Sequence, residues 1–368
     1  MSSFIDLDFL SHDLRLEVME NIMRKDFTES EKAHIADLLR PHIKKQSKQG
    51  SHNQLSQSKH DTSVNAKIGF VLGDSEETIR KREKVFKNID EKTKKALDSG
   101  EKSLNSLHTQ IVIKENKGKS SPPLPIGKFT DIVTDDGWDF GNKNIGGSGT
   151  SGAAFKYKTE LTNVLARIPI SSIAAKNSVL YQWTTNQHLI TGSMLMSEYY
   201  EILNEEKLRK FCEKTNEKDK IKKLQEQIKT ENESLSDIFK KQKVQSDALS
   251  VMHCRGFTPK CIITWEKEEK NGWGGYWINN VTEQLLIGIR GDISAFGLSE
   301  ETIIKSKYVP RSHSRKPEES WKLIEKCVSV VKGNHRKLEM NCRTPRKGWY
   351  PHGDEITSKD IKKWQKLK

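Results

Sequence analysis

From Lys128 onward the chain is built of short apolar runs separated by helical or loop segments, and this alternation limits it to one broad architecture. Such runs are the pattern of parallel strands buried on both faces, with helices covering the sheet above and below. The spacing predicts strands at 129–134, 178–184, 261–266, 283–290 and 337–342, with helices near 190–203 and 317–331. The fold class is therefore α/β, built on a parallel sheet. At about 204–248 a Lys/Glu-rich stretch carries Leu208, Phe211, Ile221, Leu224, Ile228, Leu235 and Phe239. It reads as a charged helical insertion, either a solvated helix pair on the rim or a docking arm for partner subunits.

Upstream, Leu7, Leu10, Leu14, Leu16, Val18, Met19, Ile22 and Met23 lie near helical spacing, and Thr28-Glu29-Ser30-Glu31 offers a cap before Ile35, Leu38 and Leu39. Residues 44–64 read as a polar linker. The charged helical segment at 75–108 has few apolar residues, so it is expected to need a partner surface or to stay loosely ordered. Pro122-Pro123 ends this arm. The organisation expected is a helical, partly flexible arm at 1–120, the sheet domain at 128–355 and a basic tail at 356–368.

Lys and Arg number 63 against 50 Asp and Glu, a formal charge of +13, which favours an anionic partner such as nucleic acid. The five cysteines, Cys212, Cys254, Cys261, Cys327 and Cys342, form no C-x-x-C pair and read as reduced thiols, with no metal site. No apolar run reaches membrane-spanning length, and Met1-Ser2-Ser3-Phe4-Ile5-Asp6 lacks the start of a signal peptide. A protein retained inside the cell, with no membrane partner, is expected.

Several motifs fall on this frame in order. Thr134-Asp135-Asp136-Gly137-Trp138 ends the first strand, where open parallel sheets keep their chemistry. Trp183-Thr184-Thr185-Asn186-Gln187-His188-Leu189 ends the second. Gly256-Phe257, Thr264-Trp265-Glu266-Lys267 and Asn280-Val281-Thr282-Glu283-Gln284-Leu285-Leu286-Ile287-Gly288-Ile289-Arg290-Gly291 follow. His313-Ser314-Arg315-Lys316-Pro317-Glu318-Glu319 comes next, then Lys337-Leu338-Glu339-Met340 with Arg343, Gly348-Trp349 and Gly353-Asp354-Glu355. Together they resemble the adenine-N6 methyltransferases that bear an Asp-Pro-Pro-Trp motif (methyltransferase-A seventy-kilodalton-like). The resemblance implies a Rossmann-like methyltransferase domain.

In such enzymes the aspartate and the carbonyl after it accept the two N–H bonds of adenine's amine and aim its lone pair at a methyl sulfonium. The aromatic ring stacks on the extracted base. Here Asp135 and Trp138 persist, but both prolines are gone. Asp136 is expected to repel Asp135 and raise one pKa, and Gly137 to leave the backbone permissive. The glycine-serine stretch from Gly146 to Ala154 reads as a flexible loop where the family has an ordered gate. It is not a phosphate cradle, since no Lys-Ser/Thr follows. Asn341 stands where the family usually has an aromatic residue, and Asp354 where it has asparagine.

The resemblance thus implies a relic motif at Asp135, Asp136, Gly137 and Trp138, with no catalytic residue and no cofactor in this chain. Lys316, Arg343 and Asp354 are vestigial contacts, and S-adenosylmethionine is expected in an active partner. Arg311, Arg315, Lys316, Arg336, Lys337, Arg346 and Lys347, near the expected sheet tips, suit a phosphate backbone, although any one of them is as readily a solvated charge. The chain looks most like the silent subunit of the ciliate nuclear DNA adenine methyltransferase. That likeness implies an active homologous subunit, further small DNA-binding subunits, nucleic acid with DNA favoured over RNA, and a nuclear location. Three alternatives stay open: an active enzyme with an unusual motif, the silent subunit of a messenger-RNA methyltransferase, and an assembly factor that uses the fold without methyl transfer.

Overall fold

Two units organise the chain in the computed structural model, one from residues 1–118 and 142–158, the other from 119–141 and 159–368. Residues 27–49, 63–140, 153–268, 278, 280–307 and 315–366 are described.

The first unit is helical. Its α1 (Glu29–Gln49), α2 (Val64–Leu72) and α3 (Glu76–Phe86) share a core of Ile35, Leu39, Ile43, Ile68, Leu72 and Ile79. Polar caps start the short helices: Ser63 and Ser75 accept the N–H groups of Ala66 and Thr78. Asp90 does the same for Thr93 at the head of α4 (Glu91–Asp98). Arg82 is 1 % exposed and bridges Glu29 at 2.7 Å and Asp74 at 2.9 Å, so one cation ties α1, the α2–α3 turn and α3 together. Val85, Leu97 and Leu107 join α3 and α4 to α5 (Leu104–Gly118). Asn116 on α5 donates to the carbonyls of Ala154 and Phe155 in α6 (Ala153–Lys156).

The charged 75–108 segment packs part of its apolar surface within this unit. Its helices each give only one or a few residues to shared cores, too few for a helical period to stand out. The Leu7–Met23 pattern, the centre of the 44–64 linker and most of the Gly146–Ala154 stretch lie outside the described residues.

The second unit holds a seven-stranded sheet: β1 (Phe129–Asp135), β2 (Ala174–Thr184), β3 (Thr258–Glu268), β4 (Thr282–Arg290), β5 (Ile303–Lys307), β6 (Lys337–Met340) and β7 (Trp349–His352), in the order β5-β3-β4-β2-β1-β6-β7. β1 lies parallel to both β2 and β6, whereas β4 is antiparallel to both of its neighbours. The sheet is mostly parallel, which corrects the all-parallel expectation. A parallel neighbour needs a crossover of a dozen or more residues, usually a helix. β3 and β4 follow one another in the chain and pair antiparallel, which needs no crossover.

The two short edge strands were missed. β5 brings Lys305 and Lys307, and β7 carries Pro351, residue types that discourage further pairing at an open edge.

Successive strand residues point to opposite faces, and both faces are covered. Ile132, Leu180 and Leu286 face one core with Ala248, Val251 and Met252 of a helix at Asp247–Cys254. Val133, Tyr181 and Leu285 face the other with Trp321, Ile324 and Cys327 of a helix at Glu318–Val330. Numbered in chain order after α6, α7 (Thr162–Arg167) and α8 (Ile170–Ile173) lead into β2, and α9 (Asn186–Ile190) leaves it. The insertion forms α10 (Met196–Cys212), α11 (Lys218–Ser234) and α12 (Asp237–Lys241). Asn204–Asn232 and Lys207–Glu231 contacts fold α11 back on α10, and α11 buries no residue fully. α13 is Asp247–Cys254, α14 is Glu318–Val330 and α15 is Ser358–Lys366, whose Trp364 packs on Tyr350.

Candidate functional site

β1 leads toward β2 on one side, while its other neighbour β6 leads away to β7. Adjacent strands that depart in opposite directions leave a crevice at their carboxyl ends, the usual ligand position of an open α/β sheet. A cleft of about 1270 Å³ lies there. Its floor includes Asp135, Trp183, Glu339 and Asn341, α14 forms one wall, and the loop from Arg343 to Lys347 faces it.

The tetrapeptide splits at this cleft. Asp135 lines it, and its carboxylate lies 2.9 Å from the Lys316 ammonium. Asp136 turns away and is 6 % exposed, where Arg255 grips it with both guanidinium nitrogens at 2.7 and 2.9 Å. Arg255 is fully buried just past α13, and also donates to Gln182 Oε1 and the Leu165 carbonyl. The expected repulsion between neighbouring acids is thus absent, because alternation sends each carboxylate to its own cation. The Asp135 carboxyl is still held above its ordinary value, by burial first; Lys316 pulls it down and Glu283 pushes it up.

Gly137 is not permissive here either. Its carbonyl accepts the Glu160 N–H at 2.8 Å, and Asp139 N–H donates to the Glu160 carbonyl, so a one-residue bridge pins the tip. The Asp136 carbonyl accepts the Trp138 N–H in a tight turn. Trp138 is 4 % exposed, donates Nε1–H to the Trp183 carbonyl and stacks on His188 at 4.9 Å. A ring held in this way offers no open face to an incoming base.

Lys316 is engaged on all sides. Its ammonium contacts Asp135, lies 3.0 Å from Glu283 and sits over the Trp183 ring. Glu283 also pairs with Lys267. Burial opposes the charge on Glu283, but Lys316 and Lys267 outweigh it and hold the carboxyl down at about 2. Burial likewise opposes the charge on Lys316, and the two acids override it, raising its pKa.

Glu339 has the opposite fate. Burial, reinforced by Asp135, lifts its carboxyl to about 7 against the pull of Cys342 and Arg346. An acid whose folded pKa is raised loses stability as pH climbs from its unfolded value near 4.5 to about 7. Glu339→Gln should therefore melt close to the parent at pH 4.5 and clearly above it at pH 8; an unchanged difference across that range would refute this assignment.

The other expected site residues scatter. Arg315, Arg343, Arg346 and Lys347 line the cleft, and Arg346 spans it to grip Glu318 with two nitrogens. Arg343 lies 4.0 Å from Glu355. Asp354 is exposed and does not line the cleft. Arg336 sits at the opposite end of the strands, over Phe129 and bonded to the Ile126 carbonyl. Lys337 also starts β6 and pairs with Glu325. The expected single basic patch at the sheet tips is thus divided. Arg311 lies outside the described residues. Trp349 is buried in the core. Asn341 adopts φ 57°, an uncommon left-handed conformation for a non-glycine residue, and reaches Asp136 at 3.4 Å.

Residues 253–355 match the MT-A70 family. The MT-A70 segment takes in β3 to β7, α14 and the Glu339–Lys347 side of the cleft, less than a third of the chain. It leaves out β1 and β2, where the altered tetrapeptide lies. The chain is thus adenine-methyltransferase-like in this segment, on a Rossmann-like α/β sheet. No curated protein matches the chain.

Sequence reasoning missed Arg255 and left Glu283 and Glu339 without roles. The only sign of Arg255 was a lone arginine ending the apolar Val251-Met252-His253-Cys254 run.

Proposed function

We propose that this chain is a catalytically degenerate subunit of a nuclear adenine-N6 DNA methyltransferase complex, bracing an active homologue and helping it hold nucleic acid. The observation that carries this reading is the fate of the tetrapeptide: Asp136 is locked to Arg255, and Trp138 is closed under His188. Asp135, the acid that would orient adenine, is paired with Lys316, and the ring that would stack on the base is covered by His188. S-adenosylmethionine does not fit what remains. Its sulfonium is cationic, whereas Asp135 is already paired with Lys316 and the cleft mouth carries Arg315, Lys322, Arg343 and Lys347. Those cations and the formal charge of +13 suit a phosphate backbone.

A second reading, an active adenine methyltransferase, is favoured by Asp135, which still faces the cleft. One experiment separates the two. The chain purified alone should show no S-adenosylmethionine binding by calorimetry, and its complex recovered from the source cell should methylate adenine in DNA oligonucleotides. Asp135→Ala in this chain should leave that activity intact; loss of transfer, or micromolar cofactor binding by the isolated chain, would establish the active reading instead.

A further inference from the structure

The cleft between β1 and β6 carries both signs of charge, with Glu318 and Glu325 beside the cations of α14 and the facing loop. At the floor, Glu339 presents a buried Oε2 with no hydrogen-bond partner. A buried acceptor left unsatisfied is unfavourable, so a donor placed there is stabilised. At the mouth, Arg315 and Lys322 on the α14 side and Lys347 on the facing loop are exposed. Among the described residues, no carboxylate lies within ion-pair distance of these three cations, in contrast to Lys316, Lys326 and Arg346. The site therefore calls for hydroxyl donors at one end and a multiply charged anion at the other. A volume of about 1270 Å³ admits a ligand of nucleotide size.

We propose that this cleft binds a nucleoside phosphate, its sugar hydroxyls on Glu339 and its phosphate on Arg315, Lys322 and Lys347. The proposal rests on the reading that no methyl donor occupies the cleft. S-adenosylmethionine carries the same hydroxyls, but with a sulfonium and an ammonium against one carboxylate it offers the cationic mouth less negative charge than a phosphate does. The raised pKa of Glu339 adds to the fit, since a carboxyl protonated near neutrality can donate to a sugar oxygen as well as accept from one. The ligand can be a free mononucleotide or the 5′-phosphorylated end of a strand, which share this chemistry.

The test is calorimetry on the full-length protein with ADP, with 5′-phosphorylated and 5′-hydroxyl dinucleotides, and with S-adenosylmethionine. ADP should bind, and the phosphorylated dinucleotide should outbind its hydroxyl counterpart. Arg315→Ala, Lys322→Ala and Lys347→Ala combined should weaken ADP at least about tenfold through lost charge-assisted bonds, with no change in melting temperature. Glu339→Leu should also weaken ADP, with its melting temperature recorded alongside to show that the protein is folded. ADP tighter than the phosphorylated dinucleotide identifies the free nucleotide as the ligand, and the reverse order identifies the strand end. Absence of nucleotide binding, or binding indifferent to the triple substitution, overturns the proposal and leaves the degenerate-subunit reading intact. Binding of S-adenosylmethionine in place of ADP overturns both.

Discussion

Asp136→Pro, which moves the tetrapeptide one step toward Asp-Pro-Pro-Trp, should weaken the fold and restore no methyl transfer. The substitution removes the only carboxylate paired with Arg255 among the described residues, and that guanidinium is fully buried. Gln182 Oε1 and the Leu165 carbonyl remain as neutral acceptors, which cannot balance a full charge. Stripping one partner from a buried ion pair costs about 3–5 kcal/mol. Chemical denaturation should show that loss for the proline variant and a smaller one for Asp136→Asn, which keeps one acceptor. Joint replacement by Asp136→Leu and Arg255→Met should recover much of it, because no lone charge is left behind. A proline variant as stable as the parent, or one that gains transfer activity, would show that the Asp136–Arg255 pair does not hold this tip.

Lys316→Met should have a comparable effect from the other side of the sheet. Asp135 and Glu283 share the Lys316 ammonium, and Glu283 also pairs with Lys267. Removing Lys316 leaves two largely buried acids short of charge, again with a loss of about 3–5 kcal/mol at neutral pH. The pH dependence identifies the cause. Glu283 has a depressed folded pKa, so its contribution is present above about 4.5 and is lost as pH falls toward about 2. The parent should lose stability across that window, and Lys316→Met should show a flatter acid limb, since Lys316 no longer holds the Glu283 carboxyl down. Parallel acid limbs in urea titrations at a series of pH values would contradict the pairing.

The strands that build the sheet were legible because β1, β2 and β4 each bury residues on both faces, and that leaves long apolar runs in the sequence. Strand direction was not legible for β4, since its residues have the same apolar texture whichever way it runs. β5 and β7 are too short to show a period. At the site, sequence located Asp135 and Trp138 but could not tell which face each side chain takes. Asp136 was thus read as a repelling neighbour, when alternation carries it to Arg255, 119 residues further along. Arg336 and Arg346 look alike as charges in sequence, yet they lie at opposite ends of β6, a difference set by where a four-residue strand begins.

The helical unit draws on residues 1–118 and again on 142–158. Its final stretch is therefore synthesised only after β1, so this unit cannot close until the chain has grown past it. A fragment cut at Gly118 would lack Ala154 and Phe155, whose carbonyls receive the Asn116 side chain. Any attempt to express this unit alone must carry both segments, joined by a tether that replaces β1.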